Sequence, residues 1–186
     1  LYIGFSDGYF ASINKADGSL VWERQINANT KFKDVDADAV LDDTRIYISG
    51  FDAKLYALNK QNGQILWSLD EGGVYAPLVI GAQLLYANTD GELLRIDKMS
   101  GKILQKWQSK GIYRKPLLHQ GLVIVGASKG PIEVFDANNW RKLASYHTGI
   151  GVASEAVILS KNRFLFISAG SSLVEMHYGW QRATRW

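Results

Sequence analysis

Asp34, Asp36 and Asp38 stand at alternate positions in the stretch Asp34-Val35-Asp36-Ala37-Asp38-Ala39, and carboxylates at this spacing open a calcium loop of the EF-hand type. The remainder of such a loop is missing. The position that must turn on Gly is Ala39, and the twelfth, where a Glu should chelate, is Arg45. That leaves a solvated acidic strand end, or carboxylates bonded to loop amides. His119, His147 and His177 lie 28 and 30 residues apart, and none has a second His or a carboxylate at ligand spacing. They read as loop or strand-end residues. The chain has no Cys, which removes thiol chemistry, disulfides and most zinc sites and leaves the redox compartment open. No G-x-S-x-G elbow occurs, and Gly149-Ile150-Gly151 enters a strand rather than a helix, so no phosphate cradle is expected there. Neither a metal, a cofactor nor a catalytic residue is expected from this inventory. The tail Trp180-Gln181-Arg182-Ala183-Thr184-Arg185-Trp186 interleaves bases with aromatics. That composition suits a nucleic-acid or membrane surface, but seven residues after a last strand are more often a flexible end or the outer strand of a last sheet. With 21 Lys plus Arg interleaved among 18 Asp plus Glu, no nucleic-acid partner is expected.

The elements that must position these residues follow from an internal repeat. Four segments stack on one another: Leu1 to Ile26, Ile46 to Glu71, Leu85 to Lys110 and Val123 to Thr148. A fifth, Leu165 to Tyr178, begins the same way. The equivalent positions Asp7, Asp52, Asp90 and Lys129 are separated by 45, 38 and 39 residues. Inside each unit, short apolar and β-branched runs alternate with Gly, Asn and Asp, and none sustains a helical period. In the third unit the strands are expected at Val74 to Ile80, Leu84 to Asn88, Glu92 to Asp97 and Lys102 to Trp107. The last two strands of each unit are joined by a polar loop ending in Gly18, Gly63 or Gly101, the residue that supplies the positive φ of so tight a hairpin. The fourth copy, Asp136-Ala137-Asn138-Asn139-Trp140, lacks the Gly, and Asn139 is the expected left-handed residue. Pro77 and Pro116, 39 residues apart, are placed in the first strand of their units, an edge where the missing N–H faces no neighbour.

Four antiparallel strands repeated at this period predict an all-β fold, a β-propeller of four-stranded antiparallel blades. The expected division is blade strands at 1–26, blades at 34–71, 74–110 and 113–148, an incomplete blade at 152–178 and a tail at 179–186. That is about four and a half blades, too few to close a ring. The chain begins at Leu1 inside an apolar segment, and is therefore expected to be a piece of a longer protein. Its end blades should then expose edges or faces, and the piece is expected to self-associate.

Ala57-Leu58-Asn59-Lys60-Gln61-Asn62-Gly63-Gln64-Ile65-Leu66-Trp67 has the form A-x-N-x-x-x-G-x-x-x-W, and Ser12 to Trp22 repeats it with Ser for Ala. This is similar to the tryptophan-docking repeat of quinoprotein-type propellers. Trp22 and Trp67 are read as structural, each laying a large face on the neighbouring blade. Trp107 is displaced by two residues, which keeps it on the same strand face, and Ala144 occupies the position in the fourth unit.

The Asp-Val-Asp of Asp34 to Asp36 before a unit reading LYALNKQNGQILW resembles the BamB family, periplasmic lipoproteins of the outer-membrane β-barrel assembly machinery. The likeness covers essentially the whole chain, as the C-terminal half or more of an eight-bladed ring. It implies a non-catalytic scaffold on the periplasmic face of the outer membrane of a Gram-negative bacterium. The implied partners are the periplasmic domains of BamA, other members of the complex and unfolded outer-membrane proteins, with membrane attachment only through a lipid anchor absent from this chain. Carried over, Asp34 and Asp36 become partner-binding residues; strand alternation puts both on one face, able to meet one basic patch or Arg fork. The chain departs from the family where Thr-Thr-Pro usually follows, since it reads Ala37-Asp38-Ala39. The family's second contact loop, carrying Leu and Arg, would precede Leu1. The rival resemblance is to a quinone-dependent dehydrogenase propeller, but no convergent Glu, Asn and Asp set and no vicinal Cys pair stands in this sequence to carry it.

Overall fold

A computed structural model describes residues 1–26, 38–49 and 54–179. These form five antiparallel sheets in chain order. The first has three strands, β1 (Tyr2–Gly4), β2 (Tyr9–Ile13) and β3 (Leu20–Gln25). The second has β4 (Val40–Leu41), β5 (Arg45–Ile48), β6 (Leu55–Asn59) and β7 (Ile65–Leu69). The third comprises β8 (Leu78–Ile80), β9 (Gln83–Ala87), β10 (Glu92–Asp97) and β11 (Ile103–Gln108). The fourth comprises β12 (Leu117–His119), β13 (Leu122–Gly126), β14 (Ile132–Asp136) and β15 (Lys142–Tyr146). The fifth has β16 (Val157–Ser160), β17 (Arg163–Ile167) and β18 (Leu173–His177). Within every sheet the strands lie side by side in sequence order, the up-and-down meander of a propeller blade.

The near-continuous apolar runs of the middle strands have a direct cause. Successive side chains on a strand point to opposite faces, and a blade between two others buries both. On β9, Leu84 and Tyr86 join Tyr47, Leu55 and Ala57 of the second sheet. Leu85 and Ala87 join Val123, Val125 and Phe135 of the fourth. On β13, Leu122 and Ile124 turn instead to Phe164 and Phe166 of the fifth. Each hydrophobic cluster therefore lies between two consecutive sheets. Among the described residues, the end sheets leave large apolar side chains exposed, Ile3 on β1 at 39 % and Leu173 on β18 at 69 %.

Two expectations need correction. Pro77 and Pro116 stand one residue before β8 and β12 rather than within them, so each fixes the entry to an edge strand instead of occupying a ladder position. The first strand of the third unit is correspondingly shorter than Val74 to Ile80. The left-handed residue of the fourth hairpin is Trp140, with φ 62°, and not Asn139. Trp140 takes the place of Gly18, Gly63 and Gly101: its N–H donates to Asp136 O at 2.8 Å, as Gly63 N–H does to Asn59 O at 2.9 Å.

Candidate functional site

The docking indoles lie across the sheet interfaces. Trp22, 9 % exposed, donates from Nε1 to Lys60 O at 3.3 Å, and Trp67 donates from Nε1 to Lys98 O at 3.1 Å. Both loop positions are Gly for a steric as well as a conformational reason. A Cβ on Gly63 would stand 2.5 Å from Trp22 Cε3, and one on Gly101 2.8 Å from Trp67 Cδ2. Trp107 uses a different arrangement, with its ring centre 5.1 Å from Phe135 and 6.0 Å from Trp140. Trp140 is itself buried, and the Arg95 guanidinium lies 5.5 Å from its ring centre. Packing against Trp107 and Arg95 of the preceding sheet explains why an indole is kept in a backbone region that costs a non-Gly residue about 1 kcal/mol or more.

Polar ties cross the same interfaces. Asp42, in the turn before β5, accepts from Thr44 N at 2.9 Å and Arg45 N at 2.8 Å. It also accepts from Tyr47 Oη at 3.1 Å and pairs with Lys98 Nζ of the third sheet at 3.1 Å. Arg45 reaches the same loop, donating to Lys98 O at 3.1 Å and Met99 O at 2.9 Å. Burial raises the Asp42 carboxyl, but the amides of Thr44 and Arg45 with Lys98 and Tyr47 outweigh it and lower it from 3.8 to about 2. A carboxyl depressed in the folded state stabilises above its unfolded value and loses that contribution as pH falls through the folded one. Between about pH 4 and pH 2 the chain should lose on the order of 2 kcal/mol from this group. Asp42→Asn should remove it already at pH 7 and flatten that part of the acid profile in urea titrations.

Two further carboxylate clusters tie strands together. Glu133 on β14, 4 % exposed, accepts from Tyr113 Oη at 2.7 Å and pairs with Lys142 Nζ. Burial, and then this bond to Glu133, push the Tyr113 phenol upward. In the third sheet, buried Asn88 donates from Nδ2 to Glu71 Oε2 at 2.7 Å and to Glu92 Oε2 at 2.9 Å, and Lys106 bridges the two carboxylates. The lysine and the amide hold Glu92 below its ordinary range. Each group is saturated by its neighbours and serves as a tether. Among the described residues, no group of three or more His, Asp or Glu side chains could hold a metal ion.

Asp34 and Asp36 lie outside the described residues, as does the tail Trp180 to Trp186. The residues on either side of the first stretch are described. Ile26 N–H donates to Gly8 O at 2.9 Å, beside the β1–β2 turn, and exposed Asp38 precedes β4. The equivalent bond in the third sheet is Ser109 N to Gly91 O at 3.0 Å, and Val152 N–H, in the segment leading into the fifth sheet, donates to Ala127 O at 2.9 Å beside the β13–β14 turn. The linkers and the turns between the two middle strands thus make one loop face. Between the third and fourth sheets it forms a cleft lined by Asp90, Ser109, Lys110, Ser128 and Lys129. This face offers mixed charge, hydroxyls and backbone groups, the chemistry of a protein contact. His119 and His177 end β12 and β18. His119 Nε2 meets Lys161 O at 3.0 Å, and His177 Nε2 lies 2.8 Å from Glu175 Oε1.

A family model described as "Outer membrane protein assembly factor BamB" matches residues 1–108. The outer membrane protein assembly factor BamB of Kangiella koreensis is 27 % identical over 181 residues, covering 88 % of this chain and 46 % of that protein. The Xanthomonas campestris BamB is 27 % identical over 154 residues, covering 77 % of this chain and 36 % of that protein. The chain thus spans about half the length, or less, of the curated relatives it matches. In fold it is similar to the crystal structure of BamB from Moraxella catarrhalis, with a TM-score of 0.74, 16 % identity and coverage of 95 % of this chain and 55 % of that one. The computationally designed Ika8 protein gives a TM-score of 0.73 at 15 % identity, so the fold alone does not carry the function. It is the family match across residues 1–108, more than half of the sequence, that places this chain in the BamB family of outer membrane protein assembly factors.

Proposed function

We propose that this chain is part of a non-catalytic scaffold for outer-membrane protein assembly, working at the periplasmic face of the outer membrane of a Gram-negative bacterium. Its loop face docks on the periplasmic domains of BamA and, with the other members of the complex, supports insertion of β-barrel proteins. The observation that carries this reading is the family match over residues 1–108, joined by relatives named as assembly factors along 88 % of the chain. The saturated carboxylate clusters at Asp42, Glu92 and Glu133 favour a tethering role for the buried ionic groups. Asp34 and Asp36 are the contact residues of this reading, a pair of carboxylates for one basic patch.

The test is the affinity of the full-length protein for BamA's periplasmic domains, measured by titration calorimetry. The wild type should bind, and Asp34→Arg with Asp36→Arg should weaken binding by about tenfold or more. Equal affinity would remove both residues from the contact surface, and a wild type that does not bind would overturn the reading itself.

Among the described residues, the 186-residue chain exposes large apolar side chains on both end sheets, Ile3 and Phe5 at one end and Ile167 and Leu173 at the other. It should associate as its concentration rises, because such side chains bury one another readily. Light scattering across a concentration series checks this, and a strictly monomeric species throughout would contradict it.

A further inference from the structure

The tripeptide Ser-Lys-Gly stands at two places in the chain, as Ser109-Lys110-Gly111 after β11 and as Ser128-Lys129-Gly130 in the turn between β13 and β14. The fold clasps the two copies together where the third and fourth sheets meet. A Cβ on Gly111 would stand 2.4 Å from Ser128 Oγ, and one on Gly130 2.6 Å from Ser109 Oγ. Each glycine thus receives the serine of the other copy. Both hydroxyl oxygens are spent as acceptors, from Gly111 N–H to Ser109 Oγ at 3.4 Å and from Ile112 N–H to Ser128 Oγ at 2.9 Å. A hydroxyl that accepts still has its own proton to give, and among the described residues neither proton finds an acceptor. The backbone N–H groups of Lys110 and Lys129 find none there either. Neither lysine, both of them exposed, forms an ion pair among the described residues. The cleft at this junction, about 310 Å³, is therefore lined chiefly by donors, with Asp90 as the single carboxylate against two ammonium groups.

Joining two sheets at this place does not require the lysines. Ser128 N–H donates to Ile112 O at 2.9 Å, and at the next interface Ala169 N–H donates to Gly151 O at 3.0 Å. The turns match as well, with Gly130 N–H on Ala127 O at 3.2 Å and Ser171 N–H on Ser168 O at 3.0 Å. In this register Gly149 and Gly170 stand where Lys110 and Lys129 do. The same contact between sheets is made there without charge. We infer that the two Ser-Lys-Gly copies form a carboxylate-binding cleft, which takes an acidic side chain of a partner protein between Lys110 and Lys129. The inference rests on the loop face being a docking surface, and gives that face a basic contact. A protein segment suits the cleft better than a free ion, because the space is far larger than one carboxylate and Ile112, 38 % exposed, adds an apolar wall.

Fluorescence anisotropy of the full-length protein with a labelled peptide of alternating Glu and Gly tests this. The wild type should bind that peptide and not its counterpart with Gln for Glu, and the affinity should fall as salt rises. Lys110→Glu with Lys129→Glu should weaken binding by about tenfold or more, with the thermal midpoint unchanged. Lys110→Gln with Lys129→Gln should give a smaller loss in the same direction without adding charge. Lys15→Glu with Lys102→Glu, at exposed positions of two other loops, should leave binding as it was. Equal losses from the two Glu pairs would reduce the effect to net charge and overturn the proposal. A wild type that ignores the peptide would also overturn it, as would displacement by acetate at matched carboxylate concentration, the mark of a site for free anions. Peptide binding by a protein that does not bind BamA's periplasmic domains would keep the cleft and remove that docking role. BamA binding without peptide binding would remove the cleft alone.

Discussion

Gly63→Ala should destabilise the chain by about 2–4 kcal/mol, against roughly 1 kcal/mol for Gly18→Ala. The two glycines occupy the same place in equivalent hairpins, with φ of 67° and 75°, so the conformational cost of a Cβ is common to both. Their surroundings differ. Nothing lies within 4 Å of a Cβ on Gly18, whereas one on Gly63 would stand 2.5 to 2.9 Å from three atoms of the Trp22 indole. The indole must move off the interface. That breaks its bond to Lys60 O and opens the cluster of Phe10, Ile46, Ile48 and Leu58 behind it. Urea unfolding of the two variants beside the wild type measures the difference directly. Equal losses would mean that the indole over Gly63 contributes nothing to holding the first two sheets together.

The second large effect is expected at Glu133. Its carboxylate is buried in the fourth sheet, where it receives the Tyr113 hydroxyl and the Lys142 ammonium. Tyr113 is also buried, in the stretch that leads into β12, and is paired there with Ala127. Glu133→Ala strips a buried phenol of its acceptor and leaves the lysine unpaired, a loss of about 2–4 kcal/mol. Tyr113→Phe removes one hydrogen bond and leaves the ion pair, so it should cost only about 1 kcal/mol. The double variant should be little worse than Glu133→Ala alone, because the two residues share one interaction. If the single losses simply add, the phenol and carboxylate are not coupled. Equilibrium unfolding of the three variants decides it.

How much of this was readable beforehand depended on the range over which the cause acts. The hairpin glycines and the partner strands of Trp22 and Trp67 follow from local spacing, since a four-residue return and a strand alternation are fixed within a dozen residues. Trp140 was missed because Asn is the usual non-Gly residue at positive φ. The force that overrides that preference comes from Trp107 and Arg95 of the preceding sheet. A signal existed: the Gly is lost in the loop that faces the one displaced tryptophan. The cross-sheet ties could not be read at all. Asp42 and Lys98 are 56 positions apart, and only the stacking of whole sheets brings them into contact. Glu133 stands in the pattern Ile132-Glu133-Val134-Phe135 like any solvent-facing strand residue. Its burial comes from Tyr113, which lies in a connecting segment without periodicity.

These structural predictions concern how the blades hold together; the proposed function rests on the family match over residues 1–108. The most direct measurement is the amount of folded β-barrel protein in the outer membrane of the bacterium that carries this gene, followed by heat-modifiable gel mobility. Deleting the gene should lower that amount. The wild-type gene should restore it, and a gene encoding Asp34→Arg with Asp36→Arg, expressed to the same level, should not. Unchanged barrel levels in the deletion strain would contradict a role in outer-membrane protein assembly.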